Sequence, residues 1–242
     1  MPKPRSSRPA PTAIGPTPAA DRLAWRPQSA RRPERVPTIA DPVIEPAWSG
    51  LHVLAHFDVK AGNAFGPWLA LYDEGGEDVS NAEPAAYKAL AEAIRADDAV
   101  IDGWLTEQAS LSGEGASIAT TYRPNPLSFI TGRPGTLEVP ALPHQAEVHE
   151  VAFVGVDLLW VDGQELLEVP LLERKRVLES VLIVGDLVRV TPFTRPPLSQ
   201  WLVSWQASGF GGALLKGANG HYRPGEVAPD WAYVSAAEGR QR

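Results

Sequence analysis

The most regular stretch of the sequence runs from Val148 to Val161, a long apolar strand pattern that closes on an Asp162-Gly163 turn. Pro170 then stands at the first turn of a helix expected over Leu171–Leu182, with Leu171, Leu178, Val181 and Leu182 on one face. The fold class turns on whether such strand-to-helix units repeat, and they do not. Val53, Ala55, Phe57 and Val59 alternate with polar neighbours as a strand, and Trp68–Tyr72 reads as a second strand closed by Glu74-Gly75-Gly76. Ser80 or Asn81 is expected to cap a helix whose face is Tyr87, Leu90, Ala91 and Ile94. Ala99–Gly103 and Asp186–Val190 read as short strands, and Leu198, Trp201, Leu202 and Trp205 mark a further amphipathic helix. Two final strands, Ala213–Lys216 and Trp231–Val234, flank a Pro224-Gly225 turn, whereas residues 108–147 are loop-like and rich in proline. Strands and helices without strict alternation predict an α+β fold rather than a doubly wound sheet.

Charge divides the chain. Residues 1–36 hold eight basic and two acidic groups, while the whole carries −7, so the remainder is strongly acidic. A globular surface that grips nucleic acid is usually basic, which leaves only the N-terminal part suited to that task. Residues 1–47, rich in Pro, Arg, Ala and Ser and without hydrophobic period, are expected to form a disordered or extended tail, with the folded domain over 48–242. No cysteine occurs, which excludes disulfides, a cysteine nucleophile and thiolate metal sites. No apolar run approaches the ~20 residues of a membrane span, and no export signal follows the basic start, so the expected location is cytoplasmic. Neither GxGxxG nor GxxxxGK[ST] occurs, the five histidines lack metal-ligand spacing, and the GxSxG elbow is absent.

Short motifs in order carry more. Val156-Asp157-Leu158-Leu159-Trp160-Val161-Asp162-Gly163 and then Pro170-Leu171-Leu172-Glu173-Arg174-Lys175-Arg176 resemble FDLLxLDG and PLxERR of the ATP-dependent DNA ligases. Gly211–Lys216 resembles their EGxxxK, Tyr222-Arg223-Pro224-Gly225 their SPYxPG, Asp230–Ser235 their DWLKVK, and Ala99–Trp104 their DGE strand. The resemblance implies a nucleotidyltransferase (adenylation) domain of antiparallel sheets flanked by helices, with ATP and Mg²⁺ as cofactors if the family chemistry is retained. The chain ends soon after the last motif, so the family's C-terminal OB-fold is expected to be missing.

The departures bear on activity. The family's motif I, KxDGxR with a glutamate two residues before the lysine, supplies the lysine that attacks the α-phosphate of ATP. One register puts His56 at the lysine and keeps Asp58; another puts Lys60 there. Gly211 and Trp104 replace two glutamates, Tyr233 and Ser235 replace two phosphate-contacting lysines, and Val156 replaces the phenylalanine that stacks on adenine, whereas Lys216 and Asp157 are kept. The resemblance thus nominates His56 and Lys60 as catalytic, Asp58, Lys216, Val156 and Tyr233 as nucleotide-binding, and Asp157 as a metal ligand. Each lost transition-state contact costs about 3 kcal/mol, so the leading expectation is a pseudoenzyme that binds a nucleotide or a partner. The rivals are an active transferase using His56 or Lys60, and a module that binds no nucleotide, its cleft filled by Trp104. DNA or a DNA-repair protein is the expected partner, through the basic tail.

Overall fold

A computed structural model describes residues 19–107 and 150–235. The strands are β1 (Ser29–Arg31), β2 (Pro42–Pro46), β3 (Leu51–Asn63), β4 (Gly66–Asp73), β5 (Asp98–Thr106), β6 (Ala152–Val161), β7 (Gln164–Glu165), β8 (Val188–Val190), β9 (Gly212–Gly217) and β10 (Val227–Ser235). The helices are α1 (Ala19–Arg22), α2 (Pro84–Ala93), α3 (Leu171–Val181) and α4 (Leu198–Ala207). One sheet has the order β1-β10-β9-β2; the other runs β4-β3-β5-β6-β7, with β8 parallel to β6. This is the α+β arrangement that the lack of alternation implied.

The six-stranded sheet is covered on both faces. Leu90 of α2 and Leu178 and Val181 of α3 pack with Val53, Phe57, Ile101, Phe153 and Leu158 in one apolar cluster. In another, Ala152, Val154 and Val156 of β6 meet Ile44, Ala213, Leu215 and Val234 of the four-stranded sheet, closed by Leu202, Trp205 and Phe210. A strand buried on both faces has no solvated side to make polar, which explains why β6 reads as a continuous apolar run. The last turns of the two covering helices are tied together, since Arg95 N–H donates to Val181 O at 2.7 Å and Ile183 N–H to Ala93 O at 3.0 Å.

Two expectations need correction. The expected tail over 1–47 supplies β1 and β2, and Val43 and Ile44 are wholly buried. Proline bracketing hid β2, but it is an edge strand, where a residue without N–H is tolerated. The helix expected after Ser80 or Asn81 starts at Pro84, behind Glu83, which makes no side-chain cap. Ser80 Oγ instead accepts from Leu71 N–H at 3.0 Å and donates to Asp78, pinning β4. Residues 108–149, including the proline-rich loop and the start of the expected strand at Val148, lie outside the described residues. Among the described residues no helix is long and apolar enough to cross a membrane.

The link from β2 to β3 turns at Gly50, where φ is +127° and a Cβ would lie 2.2 Å from Leu105 O. Only glycine fits there. Gly50→Ala is expected to destabilise the protein by at least about 2 kcal/mol, read as a lower denaturation midpoint at unchanged slope.

Candidate functional site

Where the two sheets meet, the interior is charged. Glu45 on β2 is wholly buried between two lysines, Lys175 Nζ of α3 at 2.7 Å and Lys216 Nζ of β9 at 2.9 Å. Lys216 also lies over the Trp231 ring, 3.9 Å from its centroid, and Lys175 donates to Val156 O at 2.9 Å. Burial alone would raise the Glu45 pKa, yet the two ammonium groups hold it below the usual value; burial lowers that of Lys175. Alongside, Arg174 grips Asp157 in a two-pronged pair, Nε to Oδ1 at 2.8 Å and Nη2 to Oδ2 at 2.7 Å, and Arg174 Nη1 donates to Val169 O and Gly220 O. Burial opposes charge on Asp157, and Arg174 overrides it, lowering the pKa.

A second chain of bonds crosses the sheets. Gln28 N–H donates to Tyr222 Oη at 2.7 Å, and Tyr222 O–H donates to Asp102 Oδ2 at 2.7 Å. His52 Nε2 faces Asp102 Oδ1 at 2.7 Å, and its Nδ1 faces Glu74 Oε1 at 3.0 Å. Burial disfavours charge on His52, but two carboxylates outweigh it and raise the pKa to about 9. The charged ring stacks on Trp104 with centroids 4.3 Å apart and planes within 4°.

The nominated residues fall in three places. Lys216, Val156 and Asp157 belong to the inter-sheet interior, with Lys216 committed to Glu45 and Asp157 to Arg174. Tyr233 sits on β10, where its hydroxyl donates to Gly211 O at 3.1 Å and Arg32 lies over its ring. His56, Asp58 and Lys60 follow one another along β3, running from its middle away from His52. Asp58 Oδ1 accepts from the N–H groups of Lys60 and Ala61, Lys60 is exposed, and His56 packs edge-on against Tyr72. The structure does not bring His56 or Lys60 to Lys216.

A segment overlooked in the sequence lies beside Lys216 instead. Glu45-Pro46-Ala47-Trp48-Ser49-Gly50-Leu51-His52 carries the glutamate and the glycine of ExKxDGxR in register. Pro46 pairs with Ala213, and Ala47 N–H donates to Gly212 O at 3.1 Å, so the segment abuts the strand that resembles EGxxxK. In this register Ala47 stands at the lysine, Ser49 at the aspartate and His52 at the arginine. The available signal was Glu45 five residues before a glycine, obscured because the lysine itself is absent. Lys216 is paired with Glu45, and Tyr233 lies against Gly211. Among the described residues, no group of three or more His, Asp or Glu side chains is placed to hold a metal.

The two buried histidines give opposite pH dependences. His52 is charged in the fold up to about pH 9 but only to its ordinary 6.5 when unfolded, so its stabilisation is complete below 6.5 and is lost as pH rises to 9. Burial, with Arg22 and Arg26 nearby, lowers the His56 pKa to about 4, so stability falls as pH drops from 6.5 toward 4. Melting temperature across this range is expected to fall on both sides of its maximum. His52→Gln should flatten the alkaline limb, and His56→Phe should make the acid limb shallower.

The family model for the ATP dependent DNA ligase domain matches residues 70–234. The chain is 28% identical over 167 residues to a DNA ligase of Methanothrix thermoacetophila, covering 65% of this chain and 27% of that protein. It is 24% identical over 211 residues to DNA ligase 2 of Methanosarcina acetivorans, covering 78% and 31%. The chain therefore spans less than a third of the length of these relatives. The fold is similar to that of the LigD ligase domain of M. tuberculosis, with TM-score 0.56, 21% identity and coverage of 88% of this chain and 60% of that one. It is also similar to a mycobacterial DNA ligase D complexed with ATP and MES, with TM-score 0.57, 20% identity and the same coverage. These matches give the adenylation-domain fold to the two sheets and their covering helices, and the chain belongs to the ATP-dependent DNA ligase domain family.

Proposed function

We propose that this chain is an adenylation-domain relative that has lost nucleotidyl transfer and acts by binding, with DNA or a DNA-repair protein as its partner. The contact between Tyr233 and Gly211 carries the reading. In the family's register both positions are charged, one a glutamate that helps hold metal and the other a lysine that contacts the α-phosphate. Here a neutral hydroxyl donates to a backbone carbonyl, and a Cβ at residue 211 would stand 3.4 Å from that hydroxyl oxygen. The two replacements are neutral and share a hydrogen bond where the family has an acid and a base. Ala47 at the lysine position and the burial of Lys216 against Glu45 point the same way. Phosphoryl transfer depends on cations placed where charge develops, and a committed buried lysine supplies none without losing its partner.

Incubation with α-labelled ATP and Mg²⁺ or Mn²⁺, followed by a denaturing gel, is expected to give no labelled protein. Ala47→Lys alone should stay unlabelled, since Gly211 and Tyr233 are unchanged. Label on the parent protein overturns the proposal, and its loss in His56→Ala or Lys60→Ala would name the nucleophile.

The DNA partner rests on the family and on the basic N-terminal residues. Duplex DNA is expected to bind weakly and with strong salt dependence. Replacing Lys3, Arg5 and Arg8 with alanine should lower the log–log salt slope by up to about 3, measured by fluorescence anisotropy.

A further inference from the structure

The first described residues, 19–31, lie as a strap across both sheets. On the six-stranded sheet the Arg22 guanidinium sits 3.7 Å from the centroid of the Trp160 ring and 3.4 Å from Asp98 Oδ2. Trp25 packs with Leu54, Val100, Leu159 and Tyr222. On the four-stranded sheet Gly225 N–H donates to Arg26 O at 2.8 Å, Gln28 N–H donates to Tyr222 Oη at 2.7 Å, and β1 runs parallel to β10. Arg26 turns its guanidinium back on its own chain, donating to Leu23 O at 3.0 Å and Trp25 O at 2.7 Å. Two of the eight basic groups of residues 1–36 are thereby engaged within the molecule.

The floor beneath Arg22 is acidic. Asp98 lines a depression together with Asp58, Asp97 and Asp162, with Lys60 beside them. Carboxylates gathered in this way attract the strap and repel a polyanion. The attachment itself is slight. Solvent reaches the Arg22–Asp98 pair, whose side chains are 12% and 22% exposed, and β1 is three residues long. Ion pairs open to water hold little, and segments tied so lightly open without unfolding the rest.

We propose that the strap is autoinhibitory: docked, it withholds Arg22 and Arg26 from DNA, so that strap docking and DNA binding compete. The proposal rests on the reading of DNA as the partner of the basic N-terminal residues. Lys3, Arg5 and Arg8 precede the strap in the chain. A duplex held by them gains two further phosphate contacts when Arg22 leaves Asp98 and Arg26 leaves its own carbonyls. Each arginine so released adds about 0.9 to the log–log salt slope. Linkage makes the effect reciprocal: whatever frees the strap tightens DNA binding, and DNA favours the free strap by the same factor.

The test is fluorescence anisotropy of the full chain with duplex DNA at rising salt, together with amide hydrogen exchange at Gln28. Trp25→Ala removes the apolar anchor of the strap without changing charge. It is expected to free the Gln28 amide for exchange, to bind DNA at least about fivefold more tightly at low salt and to steepen the slope by up to about 2. Arg26→Gln should lower the slope by about 1 in the Trp25→Ala background and leave it unchanged in the parent. In the parent, saturating DNA should speed exchange at Gln28 while β3 and β6 stay protected. Equal affinity in the parent and Trp25→Ala overturns the proposal. So does DNA that binds the parent and leaves exchange at Gln28 unchanged, or a Gln28 amide still protected in Trp25→Ala. Absence of DNA binding in every form overturns the reading of DNA as partner and the proposal with it.

Discussion

Glu45 is a single carboxylate shared by two lysines, and three elements distant in sequence are joined through it. β2 supplies the carboxylate, α3 supplies Lys175 and β9 supplies Lys216. Burying charge costs several kcal/mol per ion unless the ions are paired, and removing one partner of a buried pair is strongly destabilising, by about 3–5 kcal/mol. The Arg174–Asp157 pair sits alongside and fixes α3 on β6 by the same logic. This arrangement explains which family residues persist. Asp157, Arg174 and Lys216, which match the family's motifs, hold the sandwich together with Lys175, which stands at the second arginine of PLxERR.

Elsewhere the replaced charges come in neighbouring pairs that close on each other. In the register of the resemblance Trp104 takes the place of a carboxylate and His52 that of an arginine, and the two rings lie flat together. Gly211 and Tyr233 stand in place of another acid and another base, and they share a hydrogen bond. In each pair an aromatic ring covers what was polar. His52 keeps a positive charge because Asp102 and Glu74 still face it, which preserves the link to Tyr222 and the N-terminal segment.

The helices and most strands were legible because their periods are set by burial on one face, as in α3, or on both, as in β6. β2 was not, since three residues between two prolines carry too little pattern. Its burial comes from pairing with β9, which no local window reports. The charged interior was hidden for a related reason: Glu45, Asp157, Lys175 and Lys216 look like ordinary surface charges until strand register brings them together. The motif I segment escaped notice because only its glutamate and glycine remain. Asp58 makes a local turn contact with the N–H groups of Lys60 and Ala61.

The four-stranded sheet is assembled from opposite ends of the described chain: β1 and β2 precede the six-stranded sheet in sequence, whereas β9 and β10 follow it. Val43 finds Lys216 only after everything between them has been made. During synthesis β2 emerges first, and the six-stranded sheet and its helices are complete before β9 arrives to pair with its apolar Val43-Ile44 segment. Closing so long a loop is slow, and an unpaired apolar strand invites association with other chains. The prolines at 42 and 46 interrupt edge pairing at each end of that strand. The same residues that made β2 hard to read protect the nascent chain until its partner arrives.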